Sequence, residues 1–149
     1  MRQNTPPLPV VAAVIERDGR VLIARRPAHK RQALKWEFPG GKVEPGETPE
    51  AALVREINEE LSCEIRVIRP LPRSLHAYDW ATIELIPFVC CLAPGSPEPR
   101  ALEHSAIAWV RPAEIHGYDL AAADLPVVEA LRTGPKLPAP GGSGALFPA

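Results

Sequence analysis

Apolar residues run unbroken over 10–15, and Val21, Leu22, Ile23 and Ala24 follow after Arg17-Asp18-Gly19. Two β-rich runs, 10–16 and 20–26, on either side of an Asp-Gly pair predict a β-hairpin. At residue 48 the period changes. Thr48 can cap as an acceptor and Pro49 suits the first helical position. Ala51, Ala52, Leu53, Ile57 and Leu61 then predict a helix running to about Leu61. Strands are expected over 64–69, 75–78, 82–92 and 106–110. Asp124 stands where an N-cap belongs before a short apolar helix over 125–131, and Gly134 marks its stop. No internal repeat appears, and the order of elements lacks a regular β-α-β alternation. That predicts the α+β class, a mixed sheet flanked by helices.

The chain has 149 residues, 46% hydrophobic and 23% charged, which suits one soluble domain, expected over 8–133. Half of residues 134–149 are Gly or Pro, so that stretch and residues 1–7 are expected to be flexible tails. Neither apolar run, 10–15 or 85–92, approaches the roughly 20 residues of a membrane helix. No secretory signal precedes them, and the cytoplasm is the expected compartment. Cys63, Cys90 and Cys91 form no C-x-x-C pair and read as small core hydrophobes.

Net charge is only −1, but the charges are segregated. Residues 17–35 carry seven basic side chains against Asp18 alone, a net +6. Residues 37–64 carry eight glutamates against Lys42 and Arg55, a net −6. Opposed fields suit an anionic ligand held together with a divalent cation, although two solvated faces of opposite sign give the same count. No uniformly basic surface for a nucleic-acid polymer is present, and nothing in the sequence sets an oligomeric state.

Between hairpin and helix lies a Gly/Pro-rich loop, Trp36-Glu37-Phe38-Pro39-Gly40-Gly41-Lys42-Val43-Glu44-Pro45-Gly46-Glu47, whose carbonyls could face a ligand. On the helix, Glu56, Glu59 and Glu60 (i, i+3, i+4) share one face. Three carboxylates so placed repel one another unless something positive sits among them. A hard divalent cation compensates them, and oxygen-only ligation favours Mg²⁺ or Mn²⁺ over zinc. Taken alone, Glu-x-x-Glu-Glu is also the pattern of a solvated helix face.

Read as one string, Gly41-x5-Glu47-x7-Arg55-Glu56-Ile57-x-Glu59-Glu60 matches the Nudix box, G-x5-E-x7-R-E-U-x-E-E-x-G-U, up to its last three positions. The chain therefore resembles a Nudix hydrolase of the MutT type. The likeness extends through Val10-Val11-Ala12-Ala13-Val14-Ile15, the Trp36 to Gly41 stretch, Glu103-His104-x4-Trp109 and Asp124-Leu125-Pro126. Within the family, Ala123-Asp124-Leu125-Pro126 is most similar to the CTP pyrophosphohydrolase-like members, with 8-oxo-dGTP diphosphatase-like members beside them.

That resemblance implies the Nudix fold, an α/β/α sandwich around a mixed β-sheet. It implies Mg²⁺-dependent hydrolysis of a small-molecule nucleotide, a (d)CTP-like or oxidised purine triphosphate, to monophosphate and pyrophosphate. A nucleotide sugar, a dinucleotide, or a non-catalytic nucleotide-binding role are the alternatives. By the same resemblance, Glu56, Glu59, Glu60 and the Gly40 carbonyl would hold the metal. Glu56 or Glu103 would help activate water, and Arg55 and Glu47 would pair to lock loop against helix. Glu47 could instead favour the helix dipole.

The box is broken at its end, where Ser62 replaces Gly and Cys63 an aliphatic residue. Ser62 would then have to adopt the left-handed helix stop at a cost of about 1 kcal/mol, or the helix would end differently. Of Arg25 and Arg26, strand alternation lets only one face a phosphate, and family position favours Arg26. Trp36, Tyr78 and Trp80 could stack on a base or belong to the core. Asp124 either caps its helix or reads the base. Ionised, it would select an exocyclic amine, whereas a raised pKa would add a donor and widen the choice. His76 and His104 have no partner at ligand spacing and receive no role. Lys30 and Arg31 are placed in a loop.

Overall fold

The computed structural model describes residues 5–134. The expected tails beyond residue 134 and over the first four residues lie outside it. Strands β1 (Leu8–Arg17) and β2 (Arg20–Arg25) form the predicted hairpin, pairing Glu16 with Val21 and Arg17 with Arg20. Its turn has φ of 54° at Asp18 and 79° at Gly19. Two successive left-handed residues match the twist of the flanking strands, which is why Asp-Gly sits there.

The remaining elements follow as β3 (Trp36–Glu37), β4 (Gly40–Lys42), α1 (Pro49–Leu61), β5 (Ile65–Pro70), β6 (Ser74–Tyr78), β7 (Ala81–Leu92), β8 (Ala106–Val110) and α2 (Leu125–Thr133). Strands β1 and β7 are the parallel centre, registered from Leu8 opposite Ile83 to Ile15 opposite Cys90. All other pairings are antiparallel: β4 and β2 share the far edge of β1, β5 and β6 that of β7, and β2 also pairs β3 and β8. The sheet is therefore mixed.

Proline in a central strand needs explaining, and Pro87 has an explanation. Its carbonyl accepts the Leu71 N–H, so its nitrogen also faces away from β1, toward the outer edge of β7. There β5 pairing ends at Phe88 and β6 pairing begins at Leu85, so the missing N–H falls in the gap between them.

Alternation along β1 feeds two cores. Val11, Ala13 and Ile15 pack with Ala52, Leu53, Ile57 and Leu61 of α1 and with Cys63, Ile86 and Phe88, while Ala12 and Val14 pack with Val127, Val128 and Leu131 of α2 and with Phe38 and Ile115. One helix thus covers each face, the sandwich expected. Cys63 fills the aliphatic position of the box and Cys90 is also buried, whereas Cys91 is only half-buried. No helix among the described residues is long and apolar enough to cross a membrane.

Helix α1 starts as expected, with the Thr48 hydroxyl accepting the Ala51 N–H at 3.1 Å. It ends at Ser62 in the left-handed conformation, φ 54° and ψ 38°, with the Ser62 N–H on the Asn58 carbonyl. Helix α2 corrects an expectation. Asp124 has helical torsions (φ −88°, ψ −9°) and its side chain makes no capping bond. A 3-10 turn over Ala122–Asp124 leads straight into the helix, so the non-helical residue preceding it is Ala121 and the Asp124 carboxyl is free to turn inward. It is 5% exposed.

Candidate active site

Close backbone approach sets the site. Pro39 accepts the Ala13 N–H at 2.8 Å, and β4 lies so tightly on β1 that a Cβ on Gly40 would come within 1.9 Å of the Val11 carbonyl oxygen. A Cβ on Gly41 would meet the Glu56 carboxylate, 2.3 Å from its carbon. The two glycines therefore do different work. Gly40 lets strand meet strand, and Gly41 lets the first box glutamate of α1 lie against the loop.

Arg55 gathers the loop to the helix. Its Nε donates to Glu47 Oε2 at 2.7 Å and its Nη2 to Glu47 Oε1 at 2.9 Å, a bidentate pair. It also donates to the Lys42 carbonyl and to Glu56, both at 3.2 Å. The Arg55 guanidinium, helped by the Glu44 N–H, holds the Glu47 carboxyl down at about 2. Both oxygens of Glu47 are taken this way by Arg55 and the loop, while Glu47 still stands just before the Thr48 cap of α1, so both expected roles are compatible.

Glu56, Glu59 and Glu60 share a face but not a depth. Glu59 is 55% exposed and leans to Arg55 Nη1 at 3.5 Å. Glu60 lies deep, its Oε1 buried without a partner and its other contact a hydrogen bond with Glu56. Burial pushes the Glu60 carboxyl up to about 9, and the negative charges of Glu37, Glu56 and Glu103 add to the rise. Burial likewise raises Glu56, against the opposing bonds to Glu60 and Arg55. Convergence is thus between Glu56 and Glu60, with Glu59 turned outward. Among the described residues no three acidic, His or Cys side chains are drawn into a closed metal centre.

A cavity of about 260 Å³ opens beside this face. Gly40, Gly41, Glu60 and Glu103 line its acidic end. Arg26, Lys30 and Arg31 bring positive charge to its wall, so the loop holding Lys30 and Arg31 belongs to the site. Tyr78 and Trp80 line it as well, stacked on each other with ring centroids 5.4 Å apart, and Arg31 lies 4.7 Å over the Trp80 ring. Tyr78 spends its hydroxyl oxygen on the Ala123 N–H at 3.0 Å.

Trp36 is corrected: it does not line the cavity. It packs edge-on against Tyr118 at 5.1 Å, and its backbone pairs with Asp119 and Ala121. Strand alternation explains the exchange, since the next residue, Glu37, takes the cavity side. Arg25, opposite Trp36 in the register, bonds Ser105 instead, so of this pair Arg26 faces the cavity.

Asp124 also lines the cavity. Burial raises its carboxyl well above the usual aspartate range, and the charge of Glu37 adds to this. The Phe38 N–H bond and Arg26 oppose it.

Two cavity residues carried no assigned role. Glu37 accepts from Arg26 Nη1 at 3.0 Å and meets His104 Nε2 at 2.9 Å. His104 finds its partner 67 residues away, which no spacing rule reveals. The available signal was the pair of stretches, Trp36-Glu37-Phe38-Pro39 and Glu103-His104, each flanking a residue already under suspicion.

The NUDIX domain model matches residues 5–131. This chain belongs to the Nudix family. As a Nudix pyrophosphohydrolase it is 42% identical over 129 residues to the CTP pyrophosphohydrolase of Escherichia coli K12, covering 81% of this chain and 88% of that protein. It is 41% identical to the putative 8-oxo-dGTP diphosphatase 2 of Mycobacterium tuberculosis CDC 1551, over 77% of this chain and 81% of that one. Among solved structures, the E. coli ORF135 protein superposes with a TM-score of 0.75 at 41% identity, covering 89% of this Nudix hydrolase and 96% of that chain.

Proposed function

We propose that residues 8–133 form a Mg²⁺-dependent pyrophosphohydrolase, Mn²⁺ substituting. Its substrate would be a nucleoside triphosphate, (d)CTP-like or oxidised purine, cleaved to the monophosphate and pyrophosphate. The observation that carries this reading is the buried, unpartnered Glu60 Oε1 at the acidic end of a cavity that basic and aromatic side chains also line.

Nudix hydrolases generally use divalent metal ions, and the residues present fit one. A buried carboxylate oxygen with no donor, beside further carboxylates, is costly unless a cation meets it. The donors are hard oxygens, which suit Mg²⁺. Glu56, Glu59, Glu60 and the Gly40 carbonyl would hold it, Glu59 swinging from its exposed position. Bound there, the cation would offset phosphate charge and acidify water.

The chain's own groups do the rest. Glu103, or Glu56, accepts the proton of the attacking water as the P–O bond between α- and β-phosphates breaks. Arg55 and Glu47 hold the loop so that Glu56 stays against Gly41. Arg26 binds an oxygen of the substrate and Tyr78 lines its base. Asp124 reads the base edge. In the neutral form that its raised pKa favours, it accepts and donates at once, and so complements both N4–H/N3 of cytosine and N1–H/O6 of an oxidised guanine. Those two bases are the ones named in the E. coli and M. tuberculosis relatives.

The test is a kcat/KM panel of normal, methylated and oxidised (d)NTPs, nucleotide sugars and dinucleotides with Mg²⁺, with products identified. A triphosphate ranked first and giving pyrophosphate supports the reading. Faster turnover of a nucleotide sugar or dinucleotide, or release of orthophosphate, overturns it.

A further inference from the structure

Three side chains from distant parts of the chain form a line along the cavity wall. His104 Nε2 lies 2.9 Å from Glu37 Oε2, Glu37 Oε1 lies 3.0 Å from Arg26 Nη1, and Arg26 Nε donates to the Arg31 carbonyl at 2.6 Å. A carboxylate oxygen accepts, so Nε2 carries the hydrogen toward Glu37 and the ring's other nitrogen is Nδ1. That Nδ1 is buried without a partner. The His104 side chain is 5% exposed and Glu37 17%.

An arginine just past the end of β2, on the loop to β3, has many rotamers, and holding it still before a ligand arrives removes an ordering cost from binding. Glu37 and the Arg31 carbonyl hold this one at two points of its fork, leaving its Nη2 without a bond among the described residues. Glu37 is in turn held at its second oxygen by His104. We propose that His104 is a positioning residue for substrate binding, acting through Glu37 to aim the free edge of Arg26 at an oxygen acceptor of the nucleotide. This rests on the nucleotide reading above.

In the full chain with Mg²⁺, His104→Ala should raise KM about tenfold, the loss of one charge-assisted hydrogen bond transmitted to binding, with kcat within about threefold. His104→Gln, which can still donate to Glu37, should restore most of the KM. Glu37→Gln offers one oxygen to two donors, so it should reproduce the KM rise even if the alanine variant proves too unstable to assay. Arg26→Gln combined with His104→Ala should raise KM less than the product of the single effects, because both act on one contact.

Calorimetric Kd values for CMP and for inorganic pyrophosphate separate the acceptor. Weaker CMP binding alone assigns the base, and weaker pyrophosphate binding assigns the phosphates. These titrations need no turnover, so a wild-type chain that hydrolyses no triphosphate refutes the substrate reading alone. Unmoved KM in both His104→Ala and Glu37→Gln, independent effects in the double variant, or unchanged Kd for both probes overturns the positioning role.

Discussion

Replacing Asp124 by Asn and by Leu separates the ways a buried carboxyl can read a base. Its carboxyl accepts the Phe38 N–H with one lone pair, and burial with the charge of Glu37 raises its pKa well above the aspartate range. The raised pKa favours the neutral acid, whose hydroxyl donates. Asn reproduces this arrangement: its carbonyl accepts the Phe38 N–H and its NH₂ donates where the O–H did. Leu keeps the volume and removes both. One buried hydrogen bond lost with its partner left unpaired costs about 1–3 kcal/mol, or roughly 5- to 150-fold. Asp124→Leu should therefore lower kcat/KM by about tenfold or more on the preferred triphosphate, whereas Asp124→Asn should stay within about threefold.

The same variant carries a stability signature. The folded state binds a proton at Asp124 that the unfolded chain releases above its ordinary pKa. Wild-type stability from this group is complete below that ordinary value and falls as pH rises through the raised one. Asn has no proton to lose, so the melting temperature of Asp124→Asn relative to wild type should climb as pH rises above about 4, as followed by circular dichroism. If Asp124→Asn loses as much activity as Asp124→Leu, and its relative stability ignores pH, the side chain works as a carboxylate accepting from an amine, and the donor argument fails.

Glu60→Gln should lower kcat by two orders of magnitude or more while removing a buried carboxyl raised to about 9, so its relative stability should grow from about pH 4.5 to 9 without metal. Mg²⁺ should raise the melting temperature of the wild type and not of this variant, and an equal rise in both would refute the metal site. Ser62→Gly should stabilise by up to ~1 kcal/mol in urea titration, because Ser62 sits at φ 54° where only its Cβ is penalised. Gly41→Ala should fold and lose activity, since its Cβ meets a movable Glu56 carboxylate, whereas Gly40→Ala should fail to fold because its Cβ meets the Val11 backbone. Equal melting of the two alanine variants would contradict that difference.

What local pattern could reveal was revealed: the Asp18-Gly19 turn, the Thr48 cap, the left-handed Ser62 and the shared face of the box glutamates each depend on neighbours a few residues away. What it missed depends on tertiary context. A helical wheel places Glu56, Glu59 and Glu60 on one side, but depth is set by what packs above them, so Glu60 sinks while Glu59 reaches out to Arg55. Asp124 obeys the N-cap rule by position, yet the 3-10 turn before it frees its carboxyl for the cavity. A two-residue strand has no period of its own, and only the folded pairing with β2 places Glu37 rather than Trp36 on the cavity side.

The segregated charges gain their meaning from the same tertiary step. Residues 17–35 and 37–64 could have formed two solvated faces, and for Arg17, Lys35 and Glu59, ion-paired and more than a third exposed, that is largely so. Arg26, Lys30, Arg31, Glu37 and Glu60 instead meet around one cavity because β2 pairs with β3 while β4 and α1 fold back over β1. Burial pushes the Glu60 carboxyl up to about 9, and the charges of Glu37, Glu56 and Glu103 add to the rise, an excess of negative charge at that end that the nearby arginines do not cancel. Arg55 is committed to Glu47, and Arg26 to Glu37 and a backbone carbonyl. An anionic polyphosphate alone would therefore be repelled at the acidic end, and a cation alone would find no use for the basic wall. The proposed substrate, a triphosphate carrying its divalent cation, would satisfy both, and on that reading the charge order along the chain, folded into this cavity, favours the two binding together.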